Sequence, residues 1–171
     1  ARGLVDGFYV FAQDVTAQRD AQALIQAQNF SLSQEVQART AERDRLWALS
    51  EDLLMIADFE GQLVRVSPSW SRHLGYSEAE LLSRPYRELI HPDDLPKVMV
   101  ALDELRRSGL PTRLENRVLA ANGSWRWLSW TLSLDNDQER LTGAGRDVTR
   151  EKEAMETQAL LEEQLRQSQK M

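Results

Sequence analysis

His73 and His91 are the only histidines of this 171-residue chain, and His91 opens the run His91-Pro92-Asp93-Asp94, the one place where a histidine and two carboxylates adjoin. A divalent cation needs three or four converging ligands, and nothing elsewhere in the chain fixes a third beside His91, Asp93 and Asp94. No metal site is therefore expected, and His-Pro-Asp-Asp reads as a turn with a helix cap. His73, in "SWSRHLGY", reads as a helix-end or surface residue. None of the serines has a neighbouring histidine and supporting acid at a spacing that would activate it. Glu162-Glu163 is the solvated side of a helix. There is no cysteine, which removes thiol catalysis, disulfides and zinc-thiolate sites. There is also no glycine loop of the kind that cradles a phosphate, so no catalytic residue is assigned and an enzyme is not expected in this segment. Gly143 and Gly145 alternate in a strand-like stretch, where they either open room beside a ligand or let the strand twist against its neighbours.

The elements that position these residues follow from composition and pattern. Charged residues make up 28% and the net charge is -6, which argues against a nucleic-acid or anionic-membrane surface. No uncharged apolar run is longer than "LLMIA" at 53–57, which falls far short of the roughly 20 residues of a membrane span, so no membrane contact is expected. The absence of cysteine fits a reducing, cytoplasmic location. Beginning at Ala1 without a starter methionine, the sequence reads as a piece of a longer protein.

Residues 1–16 carry a strand-like "FYVF" with nothing nearby to pair with. Residues 17–50 lack Pro and Gly and are rich in helix formers, which predicts a connecting helix of about 50 Å. With Ile25, Leu32, Arg39, Leu46 and Leu53 at one heptad position, Asn29, Val36, Arg43 and Ser50 take the other, a seam that is apolar in parts and polar in the middle. The dimer seam expected is Ile25, Asn29, Leu32, Val36, Leu46 and Leu53 in a parallel coiled coil; a single amphipathic helix lying on its own domain is the other reading.

Residues 51–149 predict an α+β domain. A hairpin turns at residues 58–61, Ser77 and Glu80 form a capping box, and Asp93 or Asp94 caps a longer helix with Pro96 in its first turn and Gly109 beyond its end. Two further hairpins turn at Asn122-Gly123 and at "DNDQ". On the long strand Leu128, Trp130, Leu132 and Leu134 share the face expected to meet the helical middle, while Trp125 and Trp127 lie on the other. The end of the first helix, "LWALSEDLL", is the expected cover for those two rings. Residues 150–171 return to helical composition, with Ala154, Leu161 and Leu165 as a second coiled-coil stretch.

"HPDD" before the long helix, "NGSWRW" at a hairpin and "GAGRDVTREKE" at the end, in this order of elements, resemble the PAS sensory domain, specifically its subgroup with His-Pro-Asp-Asp and Trp-Arg-Trp signatures. The resemblance implies a five-stranded antiparallel sheet with a helical middle, flanked here by N-terminal and C-terminal coiled-coil helices. In that family an Asp-x-Thr triplet ends the last strand and joins it to the output helix. Asp147-Val148-Thr149 fits this, and Asp14-Val15-Thr16 then looks like the end of an upstream PAS domain, with residues 1–16 its remnant. An Asp or Thr side chain at such a place accepts hydrogen bonds from the free N–H groups of a helix start, so Asp14, Thr16, Asp147 and Thr149 are the expected signal-coupling residues.

"LLEEQLRQSQKM" resembles the run-in to the phosphoacceptor helix of sensor histidine kinases, although the phosphorylated histidine is not in this chain. The resemblance implies a bacterial two-component kinase core downstream in the same chain; a diguanylate cyclase or another effector is the alternative. By family resemblance and apolar patterning a ligand pocket is lined by Leu74, Leu82, Tyr86, Ile90, Met99, Leu102, Leu128 and Trp130, which otherwise simply fill a core. Haem-binding relatives take their axial histidine from the long helix and flavin-adduct relatives need a cysteine; both are missing here, so no cofactor is expected, though an unknown small ligand is compatible with the pocket. The family commonly has Asn before Pro after the second strand, whereas this chain has Ser67-Pro68, expected to keep a helix cap and to lose a pocket contact. Two functions are compatible: signal relay to an effector, or a ligand-free dimerisation spacer, which a core too tight for any small molecule would favour.

Overall fold

A computed structural model describes residues 14–135 and 139–170. Contacts divide the chain into two units, 1–44 and 45–171. The strand expected in residues 1–16 and the turn at 136–138 lie outside the described residues.

Helix α1 spans Thr16–Leu49 and buries none of its residues. Leu24, Ile25, Phe30, Leu32 and Val36 are all exposed along it. Glu35 and Arg39, one turn apart, form an ion pair at 2.6 Å, the kind of surface contact that supports a helix by a few tenths of a kcal/mol, about 0.3–0.5.

The helix stops at Leu49, one residue before the expected end at 50 and short of Leu53 of the expected seam. Leu53 is the first residue of β1 (Leu53–Asp58), is fully buried, and faces Gly145 across the sheet, so it belongs to the core and not to the seam. Its apolar heptad spacing was satisfied by burial of another kind. The Ser50 hydroxyl donates to Asp52 O at 3.0 Å, a local bond that competes with continued helix.

The second unit continues with β2 (Leu63–Val66), α2 (Ser69–Leu74), α3 (Glu78–Leu82), a 3₁₀ turn (Tyr86–Leu89), α4 (Leu95–Ser108), β3 (Thr112–Leu119), β4 (Trp125–Leu134), β5 (Arg140–Asp147) and α5 (Thr149–Gln169). The five strands form one antiparallel sheet in the order β2-β1-β5-β4-β3. The hairpin at residues 58–61 forms because Asp58 Oδ1 accepts the N–H groups of Gly61 and Gln62 at 2.8 and 2.7 Å, while Gly61 takes a φ of 108°. The Ser77–Glu80 capping box is present. Gly109 ends α4 at a φ of 69° and donates its N–H to Leu105 O.

The core lies between one face of the sheet and the helical middle. Val98, Leu102 and Leu105 bury the inner side of α4, and Leu128, Trp130 and Leu132 alternate along β4 as expected. Trp70 and Trp130 meet there with ring centroids 5.8 Å apart. Bulk on this face needs the alternating glycines of β5, Gly145 beside Trp130 and Gly143 beside Met55 and Leu132. A Cβ on Gly145 would lie 2.6 Å from the Trp130 ring, and one on Gly143 would lie 2.7 Å from Met55 Cε. Gly145 and Trp130 are cross-strand partners, so the missing side chain makes room for the indole and not for a ligand.

Candidate functional site

The interior space between sheet and helices is small. A cavity of about 40 Å³ is lined by thirteen residues, among them Tyr86, Ile90, Leu102 and Trp130 of the expected pocket. Leu74 and Leu128 are buried elsewhere in the core, and Leu82 and Met99 pack at its margin without lining the cavity. Sequence reasoning missed Trp70 and Asn116, which also line it. The two tryptophans occupy the volume that a ligand would need, since sites for drug-sized molecules usually measure about 300–1,000 Å³. Room for a few waters remains, as each needs about 10–15 Å³ of such volume. Tyr86 closes one side, and burial raises its phenol pKa above the ordinary value.

Ser67 does not cap α2, whose start carries no side-chain cap. Its buried hydroxyl instead accepts the Leu54 N–H at 2.9 Å and lies 2.6 Å from Ser69 Oγ, which donates to Asp52 O. Trp70 Nε1 donates to Leu54 O at 2.9 Å. These bonds knit the start of β1 to the segment after β2.

The two Asp-Val-Thr triplets share a geometry. Asp14 Oδ1 accepts the Thr16 N–H at 2.9 Å, and Asp147 Oδ1 accepts the Thr149 N–H at 2.9 Å. In each case the carboxylate meets the first free amide of a long helix. The Thr16 hydrogen bond holds the Asp14 carboxyl below the usual carboxylate pKa. Thr149 adds a second kind of tie. Its buried hydroxyl accepts the Trp127 N–H of β4 at 2.9 Å, rather than an N–H of its own helix, while the Val148 N–H donates to Trp127 O at 2.9 Å. The first turn of α5 is thus bonded to β4, the strand beside the one that α5 follows.

Trp127 is also where the His-Pro-Asp-Asp segment meets α5. Arg117, Lys97 and Lys152 place their cations 5.3, 5.7 and 5.2 Å from its ring centre, within cation–π range. Lys152, in the first turn of α5, is paired with Glu115 of β3 at 2.6 Å. Asp94 stands at the start of α4 but does not cap it. Its carboxylate accepts three bonds from Arg117, at 2.7 Å from the backbone N–H, 3.0 Å from Nε and 2.9 Å from a terminal nitrogen. The Arg117 hydrogen bonds hold Asp94 at a pKa of about 2, against the opposing effect of burial. An arginine fork outcompetes a cap because it satisfies both oxygens with charge-assisted bonds.

The expected cover for the tryptophans is not found among the described residues: Trp125 packs edge-on against His91 at 4.6 Å, and Trp127 takes the cations just named. The end of α1 serves β2 instead, with Trp47 Nε1 donating to Val66 O at 3.3 Å and Arg65 lying 4.7 Å over the Trp47 ring. His91 Nδ1 accepts the Asp93 N–H at 3.2 Å, a turn contact. Among the described residues no group of three or more His, Asp or Glu is placed to hold a metal ion.

Comparison with known proteins agrees with this architecture. The family model described as PAS fold matches residues 63–142. Protein y4lL of Sinorhizobium fredii is 31% identical over 117 residues, which are 68% of this chain and 13% of that protein, so the chain spans only a small part of that curated relative. A domain of the sensory box sensor histidine kinase/response regulator of Geobacter sulfurreducens is 25% identical with a TM-score of 0.57, covering 64% of this chain and 94% of that one. The sensory box histidine kinase/response regulator of Burkholderia thailandensis is 25% identical with a TM-score of 0.55, covering 72% and 97%. Residues 51–149 thus form a domain with the PAS fold, similar to the sensory-box domains of histidine kinases.

Proposed function

We propose that the chain is the signal-relay and dimerisation module of a bacterial two-component sensor histidine kinase, passing a conformational signal from α1 through the PAS sheet into α5. The observation that carries this reading is the Thr149 joint. One side chain in the first turn of α5 accepts a hydrogen bond from β4, beside an Asp147 carboxylate that caps the same helix. The recurrence of that cap at Asp14 before α1 supports two joints of one design, the first closing an upstream PAS domain within residues 1–16.

The module is a parallel homodimer through Ile25, Asn29, Leu32, Val36 and Leu46 of α1 and through Leu161 and Leu165 of α5. Support comes from the exposure of the apolar members of both sets on helices that bury almost nothing. It is cytoplasmic, works without haem or flavin, binds neither nucleic acid nor membrane, and catalyses nothing itself. No helix among the described residues is long and apolar enough to cross a membrane. The kinase core follows in the same chain; the similarity to the sensory-box domains of the Geobacter and Burkholderia histidine kinases supports this reading.

The small interior cavity favours a signal arriving through the helices over one bound inside, and equally supports a second reading, a ligand-free spacer. Autophosphorylation of the full-length parent separates the two. In the relay, Thr149→Val leaves basal activity measurable but removes its response to the upstream signal; a fully retained response supports the spacer.

A further inference from the structure

A second concave site lies outside the core, between the end of α2 and the first turn of α5. Arg72, His73, Arg126, Asp147, Arg150 and Glu151 line a cleft of about 430 Å³. Three arginines face two carboxylates there, on a chain whose net charge is -6. One of those carboxylates, Asp147, is already engaged by the Thr149 N–H. Arg72 is anchored by donating to Ser50 O at 2.8 Å, with Glu51 3.9 Å away, and Glu51 also lies 3.8 Å from His73. Arg126 and Arg150 are different: neither has an ion-pair partner among the described residues. Arg126 Nε is moreover buried with no hydrogen-bond acceptor. A buried donor left unmet is a cost that folded proteins rarely retain without a use.

We propose that this cleft binds a small organic oxyanion, carrying a phosphate or carboxylate group, through the guanidinium groups of Arg126 and Arg150 with Arg72 at the rim. Planar guanidinium forks match such oxyanions in two-point contact, and two that have no ion-pair partner among the described residues can supply it. The cleft volume exceeds that of a bare phosphate, which leaves room for an organic body. Arg150 belongs to α5 and Arg126 to β4, so a bound anion draws the output helix onto the sheet at the Thr149 joint. That consequence rests on the relay reading; binding itself does not.

The test is isothermal titration of the whole chain with inorganic phosphate and with citrate, at constant ionic strength set by chloride, on the wild type and on Arg126→Gln and Arg150→Gln. One site per chain is expected, with a Kd of about 1 mM or tighter for one of the two probes and a loss of about tenfold in each variant. Preference for phosphate or for citrate identifies the group recognised. Absence of saturable binding of both probes overturns the site, as does binding that Arg150→Gln leaves unchanged; Arg150 is exposed, so this variant keeps its fold if Arg126→Gln does not. Failure here with an intact Thr149→Val phenotype leaves the relay standing, and the converse leaves the site standing.

Discussion

Replacing Asp94 with Asn removes the charge from the best-satisfied ion pair of the domain. The carboxylate is almost fully buried and accepts three bonds from Arg117, whose side chain is 27% exposed. Its pKa of about 2, against 3.8 for the free group, sets an upper bound on the contribution of just over 2 kcal/mol, at about 1.4 kcal/mol per pH unit. Solvent on the arginine side screens part of that, leaving about 1–2 kcal/mol. Because the folded-state pKa is depressed, this stability is present in full above the unfolded value near 4 and is lost as pH falls through about 2. Urea unfolding of wild type and Asp94→Asn from pH 7 to pH 2 checks both points. The variant is expected to be less stable by about 1–2 kcal/mol at neutral pH, with the gap narrowing below pH 4. A gap that persists unchanged to pH 2, or no gap at pH 7, refutes the assignment of the stability to the charge.

Gly145→Ala places a methyl 2.6 Å from the Trp130 ring and is expected to cost about 1–3 kcal/mol, read as a lower thermal midpoint; an unchanged midpoint shows that the indole moves freely. Thr149→Val leaves the Trp127 N–H without its acceptor, at about 1–3 kcal/mol, and amide exchange at Trp127 should quicken while exchange deep in β1 does not. Ser77→Ala removes the capping box of α3 for about 1 kcal/mol, measurable in the same urea titration. Arg43→Leu makes the proposed seam more apolar, so in the proposed relay the dimer tightens and autophosphorylation of the full-length parent loses its responsiveness; full responsiveness removes the seam from the switch.

Turn and cap chemistry was legible because it is local. Ser77–Glu80, Asp58–Gly61 and Gly109 each act within a few residues, and the alternation on β4 reports a half-buried strand directly. Asp94 and Ser67 were misassigned because both could cap a helix locally, yet bond to partners distant in sequence, Arg117 and Leu54. Leu53 continued a heptad on paper, but spacing alone does not distinguish a seam from the first inward residue of a strand. The pocket was half legible. Family resemblance and apolar pattern together named Tyr86, Ile90, Leu102 and Trp130, and nothing in a sequence reports that Trp70 and Trp130 meet in the same space. The Asp-Val-Thr repeat was the most informative signal, since recurrence carries what one copy cannot; the turn of Thr149 toward β4 was hidden because it depends on the sheet.

A relay through the helices alone, as proposed, needs two chains side by side and no signal ligand resident in the interior. A native mass spectrum of the purified 19.6 kDa chain tests both at once. The expected species is a dimer at twice the chain mass with nothing bound in its core. A monomer throughout the micromolar range contradicts the helical seam, and a dimer that retains one small molecule per chain after Arg126→Gln and Arg150→Gln contradicts a signal received through the helices alone.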